Sequence, residues 1–192
     1  MGLYPDKVNF IVPLGPLVSN NLSAQHSFQE SIAVGFYNQV CIFGVQDHSS
    51  MTVIKEIIVT EVAEDLTCAT YLREENLLAF AGALGVGYIY NLAGPKAANQ
   101  SVTIAIDSDE EAERPPEGLV RLNGHFKQID CIEFRPLTAT RELEQTTQIL
   151  TGSKDFSVRL WEVTKGIQLA LFLDINVQNS EVLSISWAPD GW

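Results

Sequence analysis

The chain has 192 residues, 46% of them hydrophobic and 9% aromatic, enough to bury one sizeable core. Its 12 basic against 24 acidic side chains give a formal net charge of -12, which repels a phosphate backbone and attracts a basic partner such as a Lys/Arg-rich tail. Direct nucleic-acid binding is therefore disfavoured, and the lack of a long apolar run and of a basic-then-apolar leader at MGLYPDKVNF disfavours membrane insertion and secretion.

Residues 1–30 read as an N-terminal segment leading into a first group of strands, and residues 31–192 as a run of short β-rich segments bounded by Gly, Asn, Asp or Pro. The first group is ESIAVGFY, QVCIFGV and VIKEIIV; the second is LTCATYL, LLAFAG, GYIYNL and SVTIAI. Between the second and third groups lies DSDEEAERPPEG, residues 107–118, whose acids and Pro-Pro step predict a solvated loop insertion, with an acidic lure for a basic partner as the alternative. The third and best-preserved group, within Leu119 to Leu173, is IDCIEF, QILTGS, SVRLWEV and IQLALFL, and EVLSISW follows as the first strand of another. Amphipathic helical periodicity is not sustained anywhere, although VAEDL and TRELEQT could each hold a helical turn.

Groups of about four strands are how a propeller blade is built, so the pattern predicts an all-β propeller of about three blades plus the first strand of a further one. Equivalent first-strand positions are 63 residues apart from Cys68 to Cys131 and 53 from Ile129 to Val182, longer than the roughly 40 to 45 of an unadorned repeat. The excess falls in the predicted loops 94–118, 136–147 and 174–181. An open stack of blades leaves strand edges unpaired, which predicts poor solubility or self-association.

The third group carries a motif. Gly124-His125 precedes its first strand, Ser153-Lys154-Asp155 closes its second, and Arg159-Leu160-Trp161 lies on its third, the G-H to W-D pattern of a WD repeat with Glu162 in place of the Asp. Asp155 can accept from His125 and from backbone amides, while His125 can reach a hydroxyl on the second strand, Ser153 or otherwise Thr151. Trp161 can cover and donate to that network, so His125, Ser153, Asp155 and Trp161 form a structural blade network. The same His, Asp and Ser could be read as a hydrolase triad. The spacing suits the blade, however, and no G-x-S-x-G elbow is present, so no catalytic residue is assigned.

GALGVG, residues 82–87, is glycine-rich after a strand, but YIYNL continues as a strand where a dinucleotide-binding loop would open a helix. It reads as a tight turn. Cys41, Cys68 and Cys131 each sit in an apolar run without C-x-x-C spacing, and His26, His48 and His125 are far apart. These are buried thiols rather than ligands, and no metal or cofactor is expected.

The ordered segments LTCATYL, LLAFAGALGVGYIYNL, GHFKQIDCIEF, SKDFSVRLWEVTKGIQLALF and EVLSISW resemble the Extra sex combs, or embryonic ectoderm development, family of Polycomb repressive complex subunits. The resemblance covers most of Ser31 to Trp192. It implies a nuclear, non-catalytic scaffold that holds a helix of a SET-domain methyltransferase on one face and reads trimethylated lysine on histone tails through an aromatic cage on the other. An adaptor for ubiquitin ligation or trafficking is the alternative. Phe10 stands where the family has its first cage aromatic, but the aromatic before Thr67-Cys68 is Leu66 here, which offers no negative ring face to a quaternary ammonium.

Overall fold

In a computed structural model, which describes residues 7–16, 30–47, 50–59, 65–93, 102–104, 119–137, 146–173 and 180–189, the chain is built of β-strands, with no helix among the described residues. The first sheet contains β1 (Phe10–Pro13), β2 (Glu30–Phe36), β3 (Gln39–Asp47) and β4 (Ser50–Val59), with each strand antiparallel to the next. The second contains β5 (Leu66–Leu72), β6 (Leu77–Gly82) and β7 (Val86–Asn91), and the next strand in the chain, β8 (Val102–Ile104), does not join it. Its fourth strand is β9 (Leu119–Asn123). The third sheet is β10 (Ile129–Phe134), β11 (Gln148–Ser153), β12 (Ser157–Glu162) and β13 (Ile167–Leu173), in that order.

Two assignments read from the sequence are corrected. SVTIAI supplies β8, which pairs parallel with the outer strand β4 of the first sheet instead of completing the second. LVRLN takes the fourth position there because Leu119 and Leu122 bury their side chains while its backbone pairs with Tyr90 through Val86. The first sheet also gains an inner strand from within residues 1–30: β1 pairs Phe10 with Gly35 and Pro13 with Ile32. The acidic stretch 107–118 lies outside the described residues, as do most of VAEDL and TRELEQT.

Each sheet is apolar on the face it presents to its neighbour, so the blades stack. Leu66, Leu78, Phe80, Tyr88 and Leu119 of the second sheet pack on Leu14, Ala33, Val40 and Ile42 of the first region. Ala79, Ala81, Ile89 and Leu122, on the opposite face, pack on Ile129, Ile132, Phe134, Ile149 and Trp161 of the third sheet. This alternation puts successive residues of one strand into two different interfaces. The inner strand β5 consequently lies beside both β1 and β10.

Two glycines set how closely the blades approach. Gly85 turns β6 into β7 at φ 81°, and a Cβ there would come within 2.7 Å of the carbonyl oxygens of His125 and Lys127. Gly166, at φ 65°, sits against the Arg121 carbonyl in the same manner. A side chain at either position would be strained in its own backbone and would also separate the second and third blades.

Candidate functional site

The most organised polar site lies between the second and third blades, where β9 ends and β10 begins. His125 is 7% exposed, Asp155 3%, Trp161 1% and Thr151 0%, so any unmet donor there would carry the full cost of desolvation. The His125 Nδ1–H donates to Asp155 Oδ2 at 2.8 Å. Thr151 Oγ1 accepts the Trp161 indole N–H at 2.8 Å and donates its own proton to His125 Nε2, also at 2.8 Å. That chain of single donors fixes the neutral Nδ1–H tautomer of the imidazole.

Asp155 gathers donors from three directions. Ser157 gives its hydroxyl at 2.5 Å and its backbone N–H at 3.1 Å to Oδ1, and the Phe126 N–H reaches Oδ2 at 3.3 Å. Arg159 Nη2 stands 3.9 Å away. Ser153 plays another part: its hydroxyl donates to the Lys127 carbonyl and accepts the Asp155 N–H, tying the turn after β11 to the segment before β10. Of the two hydroxyls on β11, the one that meets His125 is thus Thr151, at Nε2, while Ser157 Oγ lies 3.2 Å from Nδ1. Ser157 was not foreseen, although a serine two residues after the turn aspartate, at the start of β12, was the available signal.

Burial pushes the His125 imidazole below its ordinary pKa, outweighing the pull of the Asp155 carboxylate. Burial acts upward on Asp155, but the hydrogen bonds from Ser157 and His125 outweigh it and hold that carboxyl low. These groups spend their donors and acceptors on one another. Ser153 spends its hydroxyl on the Lys127 carbonyl and the Asp155 N–H, and the hydroxyl on Nε2 belongs to the fully buried Thr151, which also accepts the indole N–H.

The second blade shows what replaces the network. Residues 77–92 match residues 148–163 without a gap and in the same register, Leu77 opposing Asn91 as Gln148 opposes Glu162. Phe80 stands for Thr151, Leu84 for Asp155, Val86 for Ser157 and Tyr90 for Trp161. The second blade fills the space with rings, Phe80 stacking on Tyr88 at 5.5 Å. One polar feature persists in both: Glu162 accepts the N–H groups of Thr164 and Lys165, and Asn91 accepts that of Ala93. Glu162 therefore does the turn-capping that its acidic oxygen permits. Burial acts to raise its pKa, but these donors hold the carboxyl below the ordinary range.

The thiols link blade to blade. Cys68 Sγ donates to the Ile129 carbonyl at 3.6 Å, and Cys131 Sγ, one repeat on, lies 3.7 Å from the Gly152 carbonyl and 3.8 Å from the Val182 carbonyl. Burial pushes Cys68 up to about 12 and Cys131 to about 11, so neither is a thiolate at neutral pH. The repeated contact places Val182 against the third blade as Ile129 sits against the second. Glu181–Trp187 is nevertheless not a strand, correcting the sequence reading. It lies along β10 and β11 through isolated bonds, Val182 N–H to Ser153 and Trp187 to Glu133, without a ladder partner among the described residues.

Phe10 and Leu66 occupy packing positions. Leu66 is wholly buried in the core between the first two blades, and the half-buried Phe10 ring covers Gly35 where a Cβ would otherwise stand. Gly82–Gly87 passes from β6 to β7 with no helix after it. Among the described residues no three His, Cys, Asp or Glu side chains converge as a metal site, and no helix is long and apolar enough to cross a membrane.

No family model matches the chain. It is 25% identical over 156 residues to the Polycomb group protein FIE2 of Zea mays, covering 79% of this chain and 34% of that protein. It is 28% identical over 125 residues to the guanine nucleotide-binding protein subunit beta of Dictyostelium discoideum, covering 65% of this chain and 27% of that protein. The chain thus spans about a third of the length of these curated relatives. Likeness and blade geometry agree on a WD-repeat protein whose described residues form three propeller blades.

Proposed function

We propose that these WD-repeat blades serve as a non-catalytic scaffold in a Polycomb-type histone lysine methyltransferase complex, supporting chromatin-based gene repression in the nucleus. The observation that carries this reading is the likeness to a Polycomb group protein over 79% of the chain. Two physical features support a scaffold. The best-formed polar cluster is spent internally on tying the connection after β9 to the third blade, and the net charge of -12 favours a basic partner such as a histone tail. The catalytic partner is a SET-domain subunit, docked on one end of the propeller. Leu66, buried and without a ring face, gives no support to methyl-lysine reading at its position, so histone contact in this proposal is electrostatic. The second relative points to a WD-repeat scaffold without choosing a pathway. Co-purification of the tagged protein with a SET-domain methyltransferase under mild lysis is the expected result. Recovery with ubiquitin-ligase or coat subunits and no methyltransferase would contradict the assignment.

A further inference from the structure

Asn123-Gly124 is the one Asn-Gly step in the sequence, and it stands at the end of β9, immediately before His125. Both residues are exposed, whereas His125 is buried. We infer that Asn123 is a site of spontaneous deamidation, and that its isoaspartyl product disables the polar network between the second and third blades.

The chemistry needs only water. The Gly124 backbone nitrogen, once deprotonated, attacks Cγ of Asn123; the new C–N bond closes a five-membered succinimide as the side-chain amide leaves as ammonia. Water then opens the ring at either carbonyl, giving aspartate or isoaspartate, so that asparagine and water become acid and ammonia. A Cβ at position 124 would crowd that nitrogen, and glycine has none. The local field assists: a Cβ built on Gly124 would lie 2.5 Å from Arg159 Nη1, so a guanidinium packs against the residue whose amide must lose its proton. A neighbouring cation favours the deprotonated form of such a group.

The consequence follows from position. Isoaspartate adds one backbone atom between residues 123 and 124. On one side Asn123 is fixed by pairing with Val86, and on the other the His125 ring is fixed at 2.8 Å to both Asp155 and Thr151, with the Phe126 N–H on Asp155. The extra atom has no slack to occupy, so the imidazole leaves its partners.

The test is to age the purified protein at mildly alkaline pH and physiological temperature, map peptide masses, and label isoaspartate with an isoaspartate-specific methyltransferase. Asn123 is expected to lose its amide several-fold faster than any of the other nine asparagines, and the aged protein to melt lower. Asn123→Gln or Asn123→Ser should hold its melting midpoint through the same ageing, and fresh Asn123→Asp should melt like fresh wild type. Amide loss at Asn123 no faster than elsewhere in the native protein would overturn the proposal. So would an isoaspartyl protein that melts like the fresh one, or a fresh Asn123→Asp variant as weak as the aged protein.

Discussion

Thr151 carries more of the third blade's polar interior than a single hydroxyl suggests, because it accepts from the indole and donates to the imidazole at once. Thr151→Val keeps the shape but strands two buried partners. We expect a loss of about 3 kcal/mol in denaturant unfolding, against about 1 kcal/mol for Ser153→Ala, whose bonds only join turn to backbone. Equal losses would mean the network is not the unit described. Protonation gives a second residue-scale prediction. Burial lowers the folded pKa of His125, so the unfolded chain binds that proton more tightly. Stability should be fully present above the unfolded value, near pH 6.5, and should fall as the pH drops through it towards the lower folded value. Asp155 and Glu162, also held low, give stability present above their unfolded values and lost on further acidification. His125→Gln should be less stable at neutral pH, with a flatter profile between about pH 7 and 5. A parallel profile would show that another group controls it.

At the scale of elements, β6, β7 and β10 through β13 were legible because alternation and turn residues agree with the pairing they adopt. β9 was missed: LVRLN is short and carries a central Arg121, while SVTIAI looks more like a strand in isolation. Which strand completes a sheet depends on the chain path across the intervening loop, and local propensity says nothing about that path. The same limit explains why EVLSISW looks like a strand and is not one, since a ladder needs a neighbour as well as an alternating pattern. Of the site, His125, Asp155 and Trp161 could be read from spacing. The choice of Thr151 over Ser153 could not, because the two lie on the same face of β11 and only the position of the His125 ring along the strand separates them. Gly85 tests the blade contact directly: Gly85→Ala should cost about 2 kcal/mol or more, from a strained φ of 81° and from two carbonyl oxygens in the way. β13 offers an opposite case. Ile167, Leu169, Leu171, Phe172 and Leu173 are 43–57% exposed on an edge strand that carries no charged side chain. Leu173→Lys should therefore reduce light scattering on concentration while leaving unfolding within about 0.5 kcal/mol of wild type.

For the whole molecule, successive interfaces repeat one plan with different chemistry. Rings fill the space in the second blade where a hydrogen-bonded network fills it in the third, and the inner cysteines make equivalent contacts to the next inner segment. Such a stack buries His125, Thr151, Asp155 and Ser157 in internal hydrogen bonds and leaves Cys68 and Cys131 half-buried. The most direct test is reconstitution of a Polycomb-type SET-domain catalytic subunit with and without the full protein, measuring methyl transfer to histone substrate. The scaffold account predicts co-elution and a clear rise in rate. An unchanged rate without co-elution, at concentrations where the protein is folded, would contradict it.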